Sequence, residues 1–462
     1  MKSRRSFVKK LTSGLIAASA PSILLGADGQ PIVIMQPERL PRLSPNDQIQ
    51  LGVIGIGIQG HNDLEAALKV AGVKFVAACD LYQGRLDRVQ ELYGKDIFTT
   101  RDYRALLARP DIDAVIIATA DHWHDHISIA AMKAGKAVYC EKPMVHRIEE
   151  GKAVIAAQQE TGMVYQVGSQ GVSSLKYAEA RKLIQKGEIG ELVLAEAWND
   201  RQSAKGAWNY SIPTDASPQT VDWEHFLGDA PERDFDPVRF FRWRNYQDYG
   251  TGVAGDLFVH LFSGLHCTLD SIGPNRIFAS GGLRYWEDGR DVPDVMVGSF
   301  DYPATKQHPA FNFQLRVNFI SGAGGGSGMR LYGTEGMIDF SWTGFKLTKN
   351  KMPEAPGFGG YDSYFTFTEK EQVAFKKDYE AKFASMTQKR PESSSIEFRN
   401  PEGFSDHVQH FQNFFDGIRH GKLIVEDAVF GLRAAAPSLA ANLSFFEQQV
   451  VHWDPEKMEL KS

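Results

Sequence analysis

From residue 49 onward the chain alternates two hydrophobic patterns. The runs 50–54, 73–79, 114–118, 137–140 and 164–167 are apolar without alternation, as in strands covered on both faces. The intervening stretches 62–71, 85–93, 127–134 and 148–160 repeat their apolar positions at the helical period. Strands separated by single helices need crossover connections of one hand, which predicts a doubly wound parallel sheet. After residue 171 the texture changes. A helix is expected at 175–186, a strand at 192–198 and a loop-rich stretch full of Trp, Arg and Asp at 201–252. A helix at 256–269 and alternating strands at 276–282, 296–302 and 311–319 follow. The glycine cluster 322–328 reads as a polar connection into a hairpin turning at 333–336. Residues 351–400 read as long surface loops, and helices at 407–421 and 426–448 close the chain.

Two details at the N-terminus add an address. Arg4 and Arg5 precede Phe7, Val8 and Lys9, then a short apolar segment ends in small residues. That is the pattern of a twin-arginine export signal rather than of a membrane span. We expect residues 1–27 to be this signal and 28–48, with four prolines, an extended linker. Residues 49–170 form a nucleotide-binding domain, 171–400 a substrate domain and 401–462 a helical segment packing back on the core. Removing the signal takes away five basic residues and no acid, so the net charge moves from −6 to −11. No basic excess points to nucleic acid, and no other stretch is apolar enough to span a bilayer. The three cysteines, Cys79, Cys140 and Cys267, are too few and scattered for a disulfide framework or a zinc site. The first two end apolar strands, as buried thiols do.

Candidate chemistry collects at predicted strand ends, where open parallel sheets bind ligands. The first strand runs into Gly55-x-Gly57-x-x-Gly60. This pattern suits a tight turn, close approach of backbone to a pyrophosphate, and a helix whose first amides face the phosphates. Asp80 ends the next strand, where an acid can bind an adenosine ribose. Thr119, Asp121, His122, Trp123 and His124 follow the third strand. With His126 they could suggest a metal, but nothing completes a ligand set at metal spacing, so no metal is expected. Glu141-Lys142-Pro143 follows the fourth strand. There a lysine beside a nicotinamide could share protons near neutrality and a cis proline could aim it, although such a tripeptide is also an ordinary solvated turn. Asp256-x-x-x-His260 sets a carboxylate and an imidazole on one helix face, either as a working pair or as a structural one.

Taken in order and spacing, these motifs resemble the Gfo/Idh/MocA oxidoreductases, the glucose–fructose oxidoreductase and inositol dehydrogenase relatives. RLYGTEG and HFQNFFDGIRHGK, nearer the C-terminus, extend the resemblance over nearly the whole mature chain. It implies an α/β protein with an N-terminal Rossmann domain. A C-terminal α/β domain on an open, mostly antiparallel sheet would cover the nicotinamide and could pair copies into dimers or tetramers. It assigns Lys142, Asp256 and His260 to catalysis. Gly55, Gly57, Ile58, Gln59, Gly60, Asp80, Thr119, Asp121, Trp123, His124, Glu141 and Lys142 go to the cofactor, and Lys142, Gln170, Arg244, Tyr249 and His260 to the substrate. Ala120 stands where the family pattern usually shows proline. Asp80 favours NAD over NADP, and Arg85 nearby leaves NADP open.

The resulting expectation is an exported, periplasmic oxidoreductase. It would act on a hydroxyl of a sugar, cyclitol or glycoside with a tightly held nicotinamide, because little free NAD is available outside the cytoplasm. His260 would accept the hydroxyl proton, Lys142 would hold the oxygen and Asp256 would orient the imidazole. The alternative is an NAD-dependent glycoside hydrolase or lyase working by oxidation, elimination, addition and reduction. A third reading is a dinucleotide-binding protein without turnover.

Overall fold

The computed structural model describes residues 22–25, 31–34, 48–387 and 391–461. It has two sheets. In chain order the strands are β1 (Ser22–Leu25), β2 (Pro31–Ile34), β3 (Ile49–Ile54), β4 (Val73–Cys79), β5 (Phe98–Thr100) and β6 (Ala114–Ile117). Next come β7 (Ala137–Glu141), β8 (Tyr165–Gly168), β9 (Leu192–Asp200), β10 (Arg276–Gly282), β11 (Val295–Tyr302) and β12 (Phe311–Asn318). The last are β13 (Gly326–Gly333), β14 (Gly336–Phe340), β15 (Gly344–Lys349), β16 (Ser394–Arg399), β17 (Val451–Asp454) and β18 (Glu459–Leu460).

The first sheet is wholly parallel, in the order β5-β4-β3-β6-β7-β8. Its central strands bury both faces, which is why they read as unbroken apolar runs: every residue of β6 and β7 is buried. The order reverses between β3, which leads outward to β4, and β6, so the crevice opens at the carboxyl ends of β3 and β6. There β3 turns into the helix Ile58–Leu68. Gly55 has φ +86°, and a Cβ on it would lie 2.6 Å from the Ala118 carbonyl. A Cβ on Gly60 would lie 2.1 Å from the Gly55 carbonyl oxygen, so the helix can lie this close to the strand only with glycine there.

The second sheet has the order β1-β2-β16-β15-β14-β13-β9-β12-β11-β10-β17-β18, antiparallel except at β9–β12 and β2–β16. β12 alternates strictly between buried and exposed residues. Its buried face packs on the helix Val259–Leu269, where Phe262 meets Phe300 and Phe313 edge-on at 4.8 and 5.7 Å. The opposite face is open. The helices Asp406–His420 and Ala428–Glu447 then cross back to the first domain. Phe411 stacks on Tyr139 at 4.2 Å, and a Cβ on Gly431 would lie 2.5 Å from Val167. Cys79 and Cys140 are buried, as their strand ends implied.

Three segments depart from the pattern reading. Residues 351–400 are not all loop: they include the helix Glu369–Phe383, capped by Thr368, and the strand β16. The helix buries none of its residues, so its sequence carries no core-facing stripe to betray it. Pro31–Ile34, within the expected linker, pairs in parallel with β16. Ser22–Leu25, within the expected signal, pairs with Pro31–Ile34. The rest of the signal and nearly all of the linker lie outside the described residues. No helix among the described residues is long and apolar enough to cross a membrane.

The glycine turn yields a direct test. Gly60→Ala should cost about 1–3 kcal/mol of unfolding free energy through overpacking against backbone. Gly57→Ala should leave stability nearly unchanged, because its Cβ would meet only the Arg85 side chain at 3.5 Å. Urea denaturation of both variants measures the difference.

Candidate active site

The end of β7 and the loop after β6 meet the segment leading into the helix Val259–Leu269 across the domain boundary. At the end of β7 the Lys142–Pro143 peptide is cis, and the chain turns sharply. His124 secures this turn: Nδ1 lies 2.7 Å from the Pro143 carbonyl oxygen and Nε2 3.3 Å from that of Thr119. The turn sends Lys142 across to the second domain, where Nζ donates to Asp256 Oδ1 at 2.8 Å and to the Asp256 carbonyl oxygen at 2.9 Å.

Asp256 sits in a π-turn, Ala254–Phe258, immediately before the α-helix that carries His260. The expected continuous helix is thus interrupted where the candidate carboxylate stands, a feature that recurs at functional sites. Gly255 permits it, since a Cβ there would fall 2.1 Å from Thr251 Cβ. Thr251 in turn donates through its hydroxyl (2.8 Å) and its backbone amide (3.0 Å) to Asp121 Oδ2, tying the loop after β6 to the π-turn. Arg244 Nε adds a second donor to Asp256 Oδ1 at 3.1 Å, and its guanidinium stacks 4.2 Å from the Trp243 ring centre.

Burial of Asp256 opposes its ionisation, but Lys142 and Arg244 outweigh that and hold the carboxyl well below the usual carboxylate range. For His260, burial and the neighbouring Lys142 charge depress the imidazole to about 3, against the pull of Asp256. His260 is therefore neutral across the physiological range, able to accept a proton and not already carrying one. The expectation that Asp256 orients this imidazole is corrected. Among the described residues the hydrogen bonds of the Asp256 carboxylate go to Lys142 and Arg244, not to His260.

The structure brings Lys142, Asp256, His260 and Arg244 together, but not every expected residue. Tyr249 is fully buried in an aromatic cluster with Phe226 and His122, so its ring does not line the crevice. Gln170 is drawn to Glu141 instead, donating to Oε1 at 2.6 Å. The Trp123 indole donates to the Phe226 carbonyl at 3.0 Å, and His122 lies against the same oxygen at 2.8 Å. Among the described residues no group of three or more His, Cys, Asp or Glu is placed to hold a metal.

Two residues escaped the sequence reading. Arg201, just past the end of β9, places its charge near Asp256 and His260, and Tyr210 feels both Arg244 and Asp256. Both lie in irregular loop with no motif to mark them.

The residues present fit a dinucleotide. The helix Ile58–Leu68 has Gly57 at its N-cap and no side-chain cap, so its first amides are free for an anion. The space in front of Gly57 is bounded by Arg85. Asp80, buried at the end of β4, accepts from Arg85 at 3.2 Å and from the Tyr82 amide at 2.9 Å. A ribose hydroxyl bound at Asp80 would share the carboxylate with Arg85, which contacts both of its oxygens.

Residues 49–169 match the GFO_IDH_MocA family, described as an oxidoreductase family with an NAD-binding Rossmann fold. The first domain is therefore similar to the NAD-binding Rossmann domain of that family. The chain is 29% identical over 175 residues to an inositol 2-dehydrogenase of Salmonella typhimurium, covering 37% of this chain and 50% of that one. It is 30% identical over 210 residues to a glycosyl hydrolase family 109 protein of Shewanella baltica, covering 42% and 45%. The chain thus spans about half the length of the curated relatives it matches. The whole fold is similar to that of a levoglucosan dehydrogenase solved with NADH and levoglucosan. That similarity has a TM-score of 0.63 at 18% identity and covers 88% of this chain and 99% of the other.

Replacing Asp256 by Asn would leave two cations without their carboxylate. We expect a loss of about 3–5 kcal/mol of unfolding free energy near neutral pH. Because the folded carboxyl is held below its unfolded value of about 3.9, that stabilisation is present above about pH 4 and shrinks as the pH falls further. Urea melts of wild type and D256N across this range should therefore converge in acid.

Proposed function

We propose that the protein is an NAD-dependent oxidoreductase acting on a hydroxyl of a sugar, cyclitol or glycoside. The observation that carries this is the convergence of Lys142, Asp256 and a neutral His260 at the carboxyl edge of a dinucleotide-binding sheet. When bound, the nicotinamide supplies a hydride acceptor and, in a redox-neutral cycle, returns the hydride. The chain's own residues do the rest. Lys142, held by Asp256, presents its ammonium to the substrate oxygen and favours the developing negative charge there. His260 takes the hydroxyl proton at an imidazole nitrogen. Arg244 and Arg201 keep Asp256 ionised when Lys142 turns to substrate. Trp243, under Arg244, stays beside the site and offers a ring face to a sugar, whereas Trp208 is buried core.

A second reading, glycoside cleavage on the same residues, is favoured by the similarity to a glycosyl hydrolase family 109 protein. Export by the twin-arginine machinery to the periplasm, with the nucleotide captive, suits either reading. The open face of the second sheet suits self-association into a homo-oligomer.

Purified protein is incubated with free sugars, inositols and aryl glycosides without added nucleotide, following aglycone release and nicotinamide absorbance. Reduction that turns over only with a second carbonyl substrate supports the oxidoreductase. Aglycone release without net reduction supports the hydrolase. Neither signal, even with added NAD, overturns both. Lys142→Ala and His260→Ala should each lower turnover by about 10²–10⁴-fold while nucleotide stays bound. Gly57→Ala should weaken nucleotide binding. Because His260 stays neutral, the pH profile of kcat/KM should show no inflection near the ordinary histidine value of about 6.5.

A further inference from the structure

Beside the glycine turn two carboxyl groups share an amide donor in the protein interior. Asp63, on the helix Ile58–Leu68, is 0% exposed, and Glu141, the last residue of β7, is 5% exposed. A single amide nitrogen, Gln59 Nε2, lies 2.9 Å from Asp63 Oδ1 and 3.5 Å from Glu141 Oε1 and so bridges the two side chains. The other partners are neutral donors. Gln170 Nε2 donates to Glu141 Oε1 at 2.6 Å, and His407 Nε2 lies 2.7 Å from Asp63 Oδ1. Asp63 Oδ1 thus has two donors, while Asp63 Oδ2 is buried with none.

Charge counting makes this arrangement unusual. Two carboxylates side by side in a dry interior cannot both ionise without a cation to offset them. The nearest, the Lys142 ammonium, is committed to Asp256. Every other group facing the pair is neutral, acidic or at the rim. From β7 comes Tyr139, and ahead of the helix Ala428–Glu447 comes Glu426, a third buried carboxyl that repels Glu141. The helix Asp406–His420 adds Asp406 and His410 around His407, and the glycine-turn helix adds Lys69 beside His407. The orphaned Asp63 oxygen is where a shared proton would sit.

We propose that Asp63 and Glu141 hold one proton between them, and that this proton sets the charge facing Lys142 and the cofactor crevice. Burial first, then mutual repulsion, raises Glu141 to about 8. Burial likewise raises Asp63 to about 8 against the donors from Gln59 and Glu141. The pair gains negative charge as the pH rises through that range. A cavity of about 330 Å³ is lined by Gln59, Gln170 and His407, the residues that hydrogen-bond the pair. Asp63 is on this account a positioning residue that acts through Glu141 and Lys142. The added negative charge favours the positively charged oxidised nicotinamide over the neutral reduced one. Only this last step rests on the cofactor reading above.

The test uses the full chain and reads no sugar turnover, so a failed proposed activity leaves it intact. Infrared difference spectra taken from about pH 6 to about pH 10 should show a protonated-carboxyl stretch lost with a midpoint near about 8. That midpoint should shift in Asp63→Asn and in Glu141→Gln, where each carboxyl loses its partner, and stay in place in Glu426→Gln. If one variant fails to fold, the other carries the test. In parallel, the ratio of the NADH to the NAD⁺ dissociation constant should rise on the order of tenfold over this range in wild type and stay flat in D63N. A band whose midpoint is unchanged in both D63N and E141Q, or no band at all, overturns the shared proton. A ratio independent of pH in wild type overturns its effect on the cofactor.

Discussion

The ion pair between Lys142 and Asp256 is the constraint on which the site depends. It is the buried polar contact that joins the end of β7 in the first domain to the π-turn of the second. A buried pair of this kind adds little net stability over an apolar contact, yet breaking it is costly. Its neighbours reflect that. His124 fixes the cis turn that aims the lysine, Arg244 supplies the aspartate with a second cation, and Thr251 with Asp121 anchors the loop that leads into the π-turn. The candidate chemistry therefore sits within the contact between the domains.

Much of this was legible from residue order because its causes are local. Strand ends and glycine turns leave marks at fixed spacing, so Gly55, Gly57, Gly60, Asp80 and Lys142 could be named from one chain. β4 and β10 were placed with their observed bounds. What escaped depends on distant packing. Arg201 and Tyr210 reach the site from loops with no pattern of their own. Tyr249 reads as a pocket residue beside Arg244, but its ring turns into the Phe226 cluster. The π-turn is invisible to a helical period that continues through it. The helix Glu369–Phe383 hides because it buries nothing, and β16 because its hydrogen bonds go to β15 and β2.

The two sides of the site differ in charge. Lys142, Arg244 and Arg201 surround one carboxylate at the π-turn, whereas burial holds Asp63, Glu141 and Glu426 toward their neutral forms. The polarity of the site thus follows from which strand end carries which residue, and a substrate oxygen that becomes more negative finds its cations on the side facing the second domain.

The most direct measurement is label transfer in a single turnover. Sugars, inositols and glycosides deuterated at their carbinol carbons are mixed with the nucleotide-loaded protein, the reaction is quenched, and the nicotinamide is analysed by mass spectrometry. The account predicts deuterium on the nicotinamide, formed more slowly than protium from the unlabelled compound, and lost when Lys142 or His260 is replaced by Ala. Turnover of a compound with no deuterium ever reaching the nicotinamide would contradict it.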